Sequence, residues 1–120
     1  VLLLTRTIEK LPNVALVDKN PIDNDVMNTQ YKMIDAISLV TGKTRQDRYY
    51  PMWIGMTMKI VRLKIGESAG FRYIKDNEGN DYSGAMHTSC VTDYYLPEDK
   101  KDFIIQTENT IFKFKKVEEE

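Results

Sequence analysis

Three residues in one short stretch carry side chains that do covalent chemistry: His87, Ser89 and Cys90. A serine or cysteine beside a histidine is the pairing of acyl transfer, in which the imidazole takes the nucleophile's proton. The spacing works against it. On a strand His87 and Ser89 point the same way but stand about 6–7 Å apart, given a rise near 3.3 Å per residue, and Cys90 faces the other side. His87 is the only histidine in the chain. With no positioned acid in sight, the expectation is a structural strand, no catalytic residue and no enzyme activity. Asp76, Glu78, Asn80 and Asp81 offer oxygen ligands, but the order D-N-E-G-N-D lacks the alternating ligands and closing glutamate of a calcium loop. A polar hairpin loop is expected there. One histidine and one cysteine do not make a typical structural zinc site, and no glycine-rich phosphate cradle opens a helix. No metal and no cofactor is expected.

Binding chemistry is better represented. From Lys43 to Lys64 the cations are Lys43, Arg45, Arg48, Lys59, Arg62 and Lys64, against Asp47 alone, with Tyr49, Tyr50 and Trp53 interleaved. Aromatic platforms beside cations suit single-stranded nucleic acid, with Arg45, Arg48, Lys59, Arg62 and Lys64 on phosphates and Tyr49 and Tyr50 under bases. The bland alternative places Trp53 and one tyrosine in the core and the cations on a solvated face. Tyr82, Tyr94 and Tyr95 add aromatic residues in expected loops. Tyrosines bury large areas at small entropic cost, so Tyr49, Tyr50, Trp53, Tyr82, Tyr94 and Tyr95 are the candidate surface for a protein partner. Protein recognition leads and nucleic acid is second, because an acidic chain lacks the usual basic footprint.

The element that must position these residues is the run from Met56 to Ile65, bounded by Gly55 and Gly66. Its apolar residues change phase: Met56, Met58 and Ile60 share one face, then Val61, Leu63 and Ile65 the other. Side chains alternate strictly along a strand, so the change requires either a bulge near Ile60-Val61 or a strand turning the corner between two sheets of a small barrel. The corner is favoured. Downstream, Phe71–Lys75, Met86–Val91, Phe103–Thr107 and Thr110–Lys115 read as further strands, with Glu108-Asn109 as a two-residue turn and 94–100 as a loop. Upstream, Leu2 to Ile8 and Val14 to Val17 read as a hairpin. Asp23, Asn24 and Asp25, as caps and first-turn acids, followed by apolar residues at three-and-four spacing (Val26, Met33, Ile34, Ile37), predict one amphipathic helix over about 24–41, stopped by Gly42.

The fold expected is therefore α+β, mainly β: a small five-stranded SH3-like barrel over residues 52–117, with an N-terminal hairpin and one helix. The chain of 120 residues fits a single domain, with 1–45 as the hairpin-and-helix appendage and 46–117 as the barrel core. Net charge is −1 with a pI near 5.9, so no global field selects nucleic acid or membrane. A lone cysteine fits a reducing compartment, and the short Leu2-Leu3-Leu4 run is no membrane span, so a cytoplasmic protein is expected. That run is also a candidate edge for a homodimer by strand pairing.

Over roughly residues 31–116, the spacing of Thr88-Ser89-x-Val91, then an apolar strand, then Thr107-x-Asn109-Thr110-x-Phe112, with Trp53-Ile54-Gly55 upstream, resembles a pattern in small β-barrel proteins of bacteriophages and prophages. Phe112 stands where that pattern often has tyrosine. The resemblance implies an SH3-like barrel without an assigned activity. It also implies a bacterial host cytoplasm, where short accessory proteins bind, modulate or inhibit host or defence factors.

Overall fold

The computed structural model describes residues 19–118, so the expected N-terminal hairpin and its dimerising Leu2–Leu4 strand lie outside the described residues. The first element is a single helical turn, α1 (Asn24–Met27), started by the Asp23 carboxylate, which accepts from the Val26 N–H at 3.0 Å. It ends at Asn28, and the long helix expected over 24–41 does not form. Its second half is instead strand β1 (Tyr31–Ser38). Tyr31, Met33 and Ala36 are buried, and the register against the neighbouring strand slips between Met33 and Asp35. That bulge inserts one residue into a two-residue period and so gives the apolar positions a helix-like spacing.

The remaining elements are α2 (Tyr50–Trp53), β2 (Thr57–Arg62), β3 (Ser68–Lys75), β4 (Ala85–Tyr95), β5 (Asp102–Thr107) and β6 (Thr110–Lys116). Each strand pairs antiparallel with the next, and β1 closes the circle between β6 and β2. The barrel thus has six strands rather than five and begins at Tyr31 rather than residue 52. The five strands expected from alternation are β2 to β6. The sixth is β1, which lies within the span expected to be helical.

In β2 the pairing with β3 slips between Ile60 and Arg62, so the phase change is a bulge inside one barrel and not a corner between two sheets. Met58 and Ile60 fill the interior, whereas Val61 and Ile65 are exposed and Leu63 is only half-buried. The second apolar set therefore does not take over the core. β4 is longer than expected: a slip between Val91 and Asp93 carries it on through Tyr94 and Tyr95, which are strand residues and not a loop. Glu108-Asn109 is the expected two-residue turn. There the buried Thr107 hydroxyl donates to the Thr110 carbonyl (3.1 Å) and accepts from the Thr110 N–H (3.2 Å).

Inward-facing side chains form one core: Tyr31 and Met33 from β1, Met58 from β2, Phe71 from β3, Phe103 and Ile105 from β5, Phe112 and Phe114 from β6. Val26 of α1 joins the same cluster. Tyr31 is the one phenol fully enclosed in it, and its hydroxyl donates to the Lys100 carbonyl at 2.9 Å. Burial, reinforced by Asp25 and Asp99, pushes its pKa up to about 12. A folded-state pKa above the unfolded value of about 10 means a contribution complete below pH 10 and lost as pH rises through 12. At pH 11 the loss amounts to roughly 1.4 kcal/mol. Tyr31→Phe, which gives up a hydrogen bond of about 1 kcal/mol, is expected to be the less stable protein at pH 7. Denaturant midpoints of the two proteins should converge near pH 11, and a gap constant from pH 7 to pH 11 would contradict the enclosure of that hydroxyl.

Candidate functional site

Between β1 and β2 the chain folds back on the barrel's rim. Thr44 bridges Ile37, and the Arg45 N–H donates to the Ala36 carbonyl at 2.8 Å, which fixes where the next residues go. Arg48 takes a left-handed backbone (φ 52°) and redirects the chain into α2, where Pro51 suits the first turn. Gly55 ends the turn at φ +97°. A Cβ there would lie 3.1 Å from the Cβ of Asn77, so glycine is what lets α2 sit against the β3–β4 loop.

This path assembles an aromatic rim. The Tyr50 ring stacks on Phe112 (6.0 Å, 25°) and meets Trp53 edge-on (5.1 Å, 81°). The Trp53 indole N–H donates to the Tyr73 hydroxyl at 2.8 Å, and the Tyr73 ring lies 5.5 Å from that of Tyr82. Tyr49 lies 6.0 Å from Trp53 on the outside. A Cβ at Gly84 would come within 3.0 Å of the Tyr73 ring, so that approach also depends on glycine. Burial raises the Tyr73 phenol's pKa and Tyr82 adds to the shift, against the Trp53 N–H, which favours the phenolate. Tyr73 therefore stays neutral at ordinary pH.

The rim has a half-buried frame (Tyr50, Trp53, Tyr73) and an exposed surface: Tyr49 at 65%, Tyr82 at 43% and Met52 at 37% exposure. Of the six aromatic residues assigned to partner binding, four are brought together. Tyr94 and Tyr95 are not. The Tyr94 ring packs edge-on to Phe103 and its hydroxyl donates to the Asn20 carbonyl, while Tyr95 is buried with Ile37, Ile104 and Ile111. Met52 and Tyr73 belong to the rim unforeseen. Met52 had a signal in lying between Tyr50 and Trp53; Tyr73 had none, because only strand register brings it to the indole.

The basic set is scattered. The Arg45 guanidinium is held by Asp47, the Tyr50 hydroxyl and the Thr110 hydroxyl. Arg62 donates to Ser68, and Lys64 pairs with Glu67. Arg48 is exposed, and Lys59 lines a cleft of about 510 Å³ together with Gln30, Lys116 and Glu118.

The residues capable of covalent chemistry make no constellation. His87 and Cys90 are exposed, and the Ser89 hydroxyl donates to the Asn109 side-chain oxygen at 3.2 Å. In the acidic loop, Asp76 accepts from the Asn80 and Glu78 N–H groups at 2.9 Å each, and those bonds, Asn80 first, hold its carboxyl below the usual range. It staples the hairpin. Among the described residues, no group of three or more His, Cys, Asp or Glu is placed to hold a metal ion, and no helix is long and apolar enough to cross a membrane. No family model matches this chain, and no curated protein or solved structure matches it either.

Proposed function

We propose that the protein is a non-catalytic protein-binding module whose contact surface is the aromatic rim. The observation that carries this reading is the exposure of Tyr49, Met52 and Tyr82 on a frame already locked by the Trp53–Tyr73 hydrogen bond and the Tyr50–Phe112 stack. A preorganised aromatic surface loses little side-chain freedom on binding and supplies the residue types that dominate interface energetics. The five consecutive antiparallel strands β2 to β6 support reading the barrel as SH3-like, with β1 as an added stave. The likeness to bacteriophage and prophage proteins supports an accessory role in the cytoplasm of a bacterial host, where the module would modulate or inhibit a host or defence factor.

The test is affinity capture from such a host, with the wild type beside the double variant Tyr49→Ala/Tyr82→Ala. Both positions are exposed enough for the fold to survive. Proteins retained by the wild type and released at least tenfold more readily by the variant support the reading; identical retention by both proteins ends it. For nucleic acid as the alternative ligand, the internal hydrogen bonds and ion pairs of Arg45, Arg62 and Lys64 weigh against the stretch 43–64 as one contact surface.

A further inference from the structure

Strand register creates a feature that no single stretch of sequence contains. On the outer wall Lys115 of β6 lies directly opposite Lys32 of β1, and Lys59 of β2 directly opposite Arg72 of β3. Lys32 pairs with Thr57, so Lys59, two residues further along the same face of β2, holds the diagonal position. Four cations therefore form one row across four neighbouring strands, in the order β6, β1, β2, β3. Side chains directly opposite one another stand about 5 Å apart at Cβ, and diagonal ones about 7–8 Å. Lys32, Arg72 and Lys115 are exposed and Lys59 is half-buried.

None of the four cations forms an ion pair with another described residue. Several cations elsewhere are paired: Lys19 with Asp93, Arg45 with Asp47, Lys64 with Glu67, Lys75 with Asp81, Lys100 with Asp23 and Asp25; what sets these four apart is their alignment in one row. Among the described residues, no ion pair or side-chain hydrogen bond reaches Lys32, Lys59, Arg72 or Lys115. Two acids border the row without an ion pair to it: Asp102, opposite Lys115 at the β5 end, and Glu118, which lines a cleft together with Lys59 and Lys116. Like charges directly opposite across a sheet are destabilising, and here two such pairs adjoin.

We propose that this row is a docking face for the phosphate backbone of nucleic acid, bound without base readout. Three alkyl-ammonium groups and one guanidinium in a line supply charge and no apolar anchor. Protein interfaces take most of their energy from buried aromatic and apolar anchors, with charges at the rim. A lipid surface accepts cations anywhere on a plane and gives no reason to bring them into opposing register. A phosphate backbone is the polyanion for which charge neutralisation alone, through counterion release, drives binding. Four contacts on a chain of net charge −1 make a weak, salt-sensitive face distinct from the aromatic rim.

The experiment is fluorescence anisotropy with a labelled oligothymidylate and a mixed-sequence duplex across a low-to-moderate salt series. Poly-L-glutamate and phosphatidylserine vesicles are run beside them. Four neutralised phosphates predict a slope of log K against log salt of about −3 for the single strand. Lys32→Ala and Arg72→Ala should each flatten the slope by about 0.7, whereas Lys64→Ala should not change it. Lys32→Glu should abolish binding and raise Tm by about 2–3 °C, because the repulsion from Lys115 and Lys59 becomes attraction. Absence of oligonucleotide binding at low salt, or a slope indifferent to Lys32 and Arg72, overturns the proposal. So does retention by poly-L-glutamate or vesicles equal to that by the oligonucleotides.

Discussion

Phe114→Ala is expected to cost about 3–5 kcal/mol of folding stability, the range for removing a buried aromatic ring from a core that relaxes only partly. Phe114 is buried where the rings of Phe71 (5.2 Å), Phe103 (5.8 Å) and Phe112 (6.5 Å) converge on it, so all four phenylalanines of the chain meet at one place. They arrive from three strands far apart in sequence, and this convergence holds β3 and β5 against β6. Domains of this size are stable by only about 5–15 kcal/mol, so the variant should unfold at far lower urea and be partly unfolded in buffer. Phe114→Leu keeps most of the volume and should lose about 1–1.5 kcal/mol. A loss below about 1 kcal/mol for the alanine variant would mean that the four rings do not share a core.

Those rings were legible in the sequence as a pattern. Thr110, Phe112 and Phe114 alternate cleanly, a two-residue turn precedes them, and the structure has the strand, the turn and the inward face where alternation places them. Clean alternation survives only where no residue is inserted. In β1 the slip at Met33–Asp35 moves the next buried residue from an expected 35 to Ala36, and Met33, Ala36 and Ile37, three and four residues apart, then mimic one face of a helix. The true helical signal, Asp23 as a cap, accounts for four residues only. In β4 the alternation likewise breaks at the slip near Thr92, which hides the strand's continuation through Tyr95. The rim was half legible: Tyr49, Tyr50 and Trp53 are near neighbours in sequence, whereas Tyr73 and Tyr82 reach them by strand pairing. The cationic row was not legible, because Lys32 and Lys115 become neighbours only through the closure of β1 on β6.

Arg45→Ala is expected to cost about 2–3 kcal/mol, and the variant separates two meanings of one residue. By composition Arg45 belongs to a phosphate-binding stretch. In the fold its side chain is only 18% exposed, donates to Tyr50 (3.2 Å) and Thr110 (2.9 Å), and holds its guanidinium 4.2 Å from the Tyr50 ring centroid. Two hydrogen bonds at about 1 kcal/mol each and a cation–π contact of about 0.5–1 kcal/mol make up the expected loss. Arg45→Lys keeps the charge but not the planar fork, so it should recover less than half of it. The Asp47 carboxyl, held below its usual range chiefly by its hydrogen bond from Arg45, adds a pH signature. A depressed folded-state pKa gives stability above the ordinary carboxylate range that disappears as pH falls through the folded value, so wild type and Arg45→Ala should draw closer in acid. Urea midpoints at neutral and acidic pH read both effects. Because Tyr50 carries Trp53 on its edge, and Trp53 the exposed Tyr49, loss of Arg45 should also weaken capture through the rim while leaving the salt slope of oligonucleotide binding unchanged. A flattened slope with unchanged stability would return Arg45 to the phosphates and take the rim's anchor away.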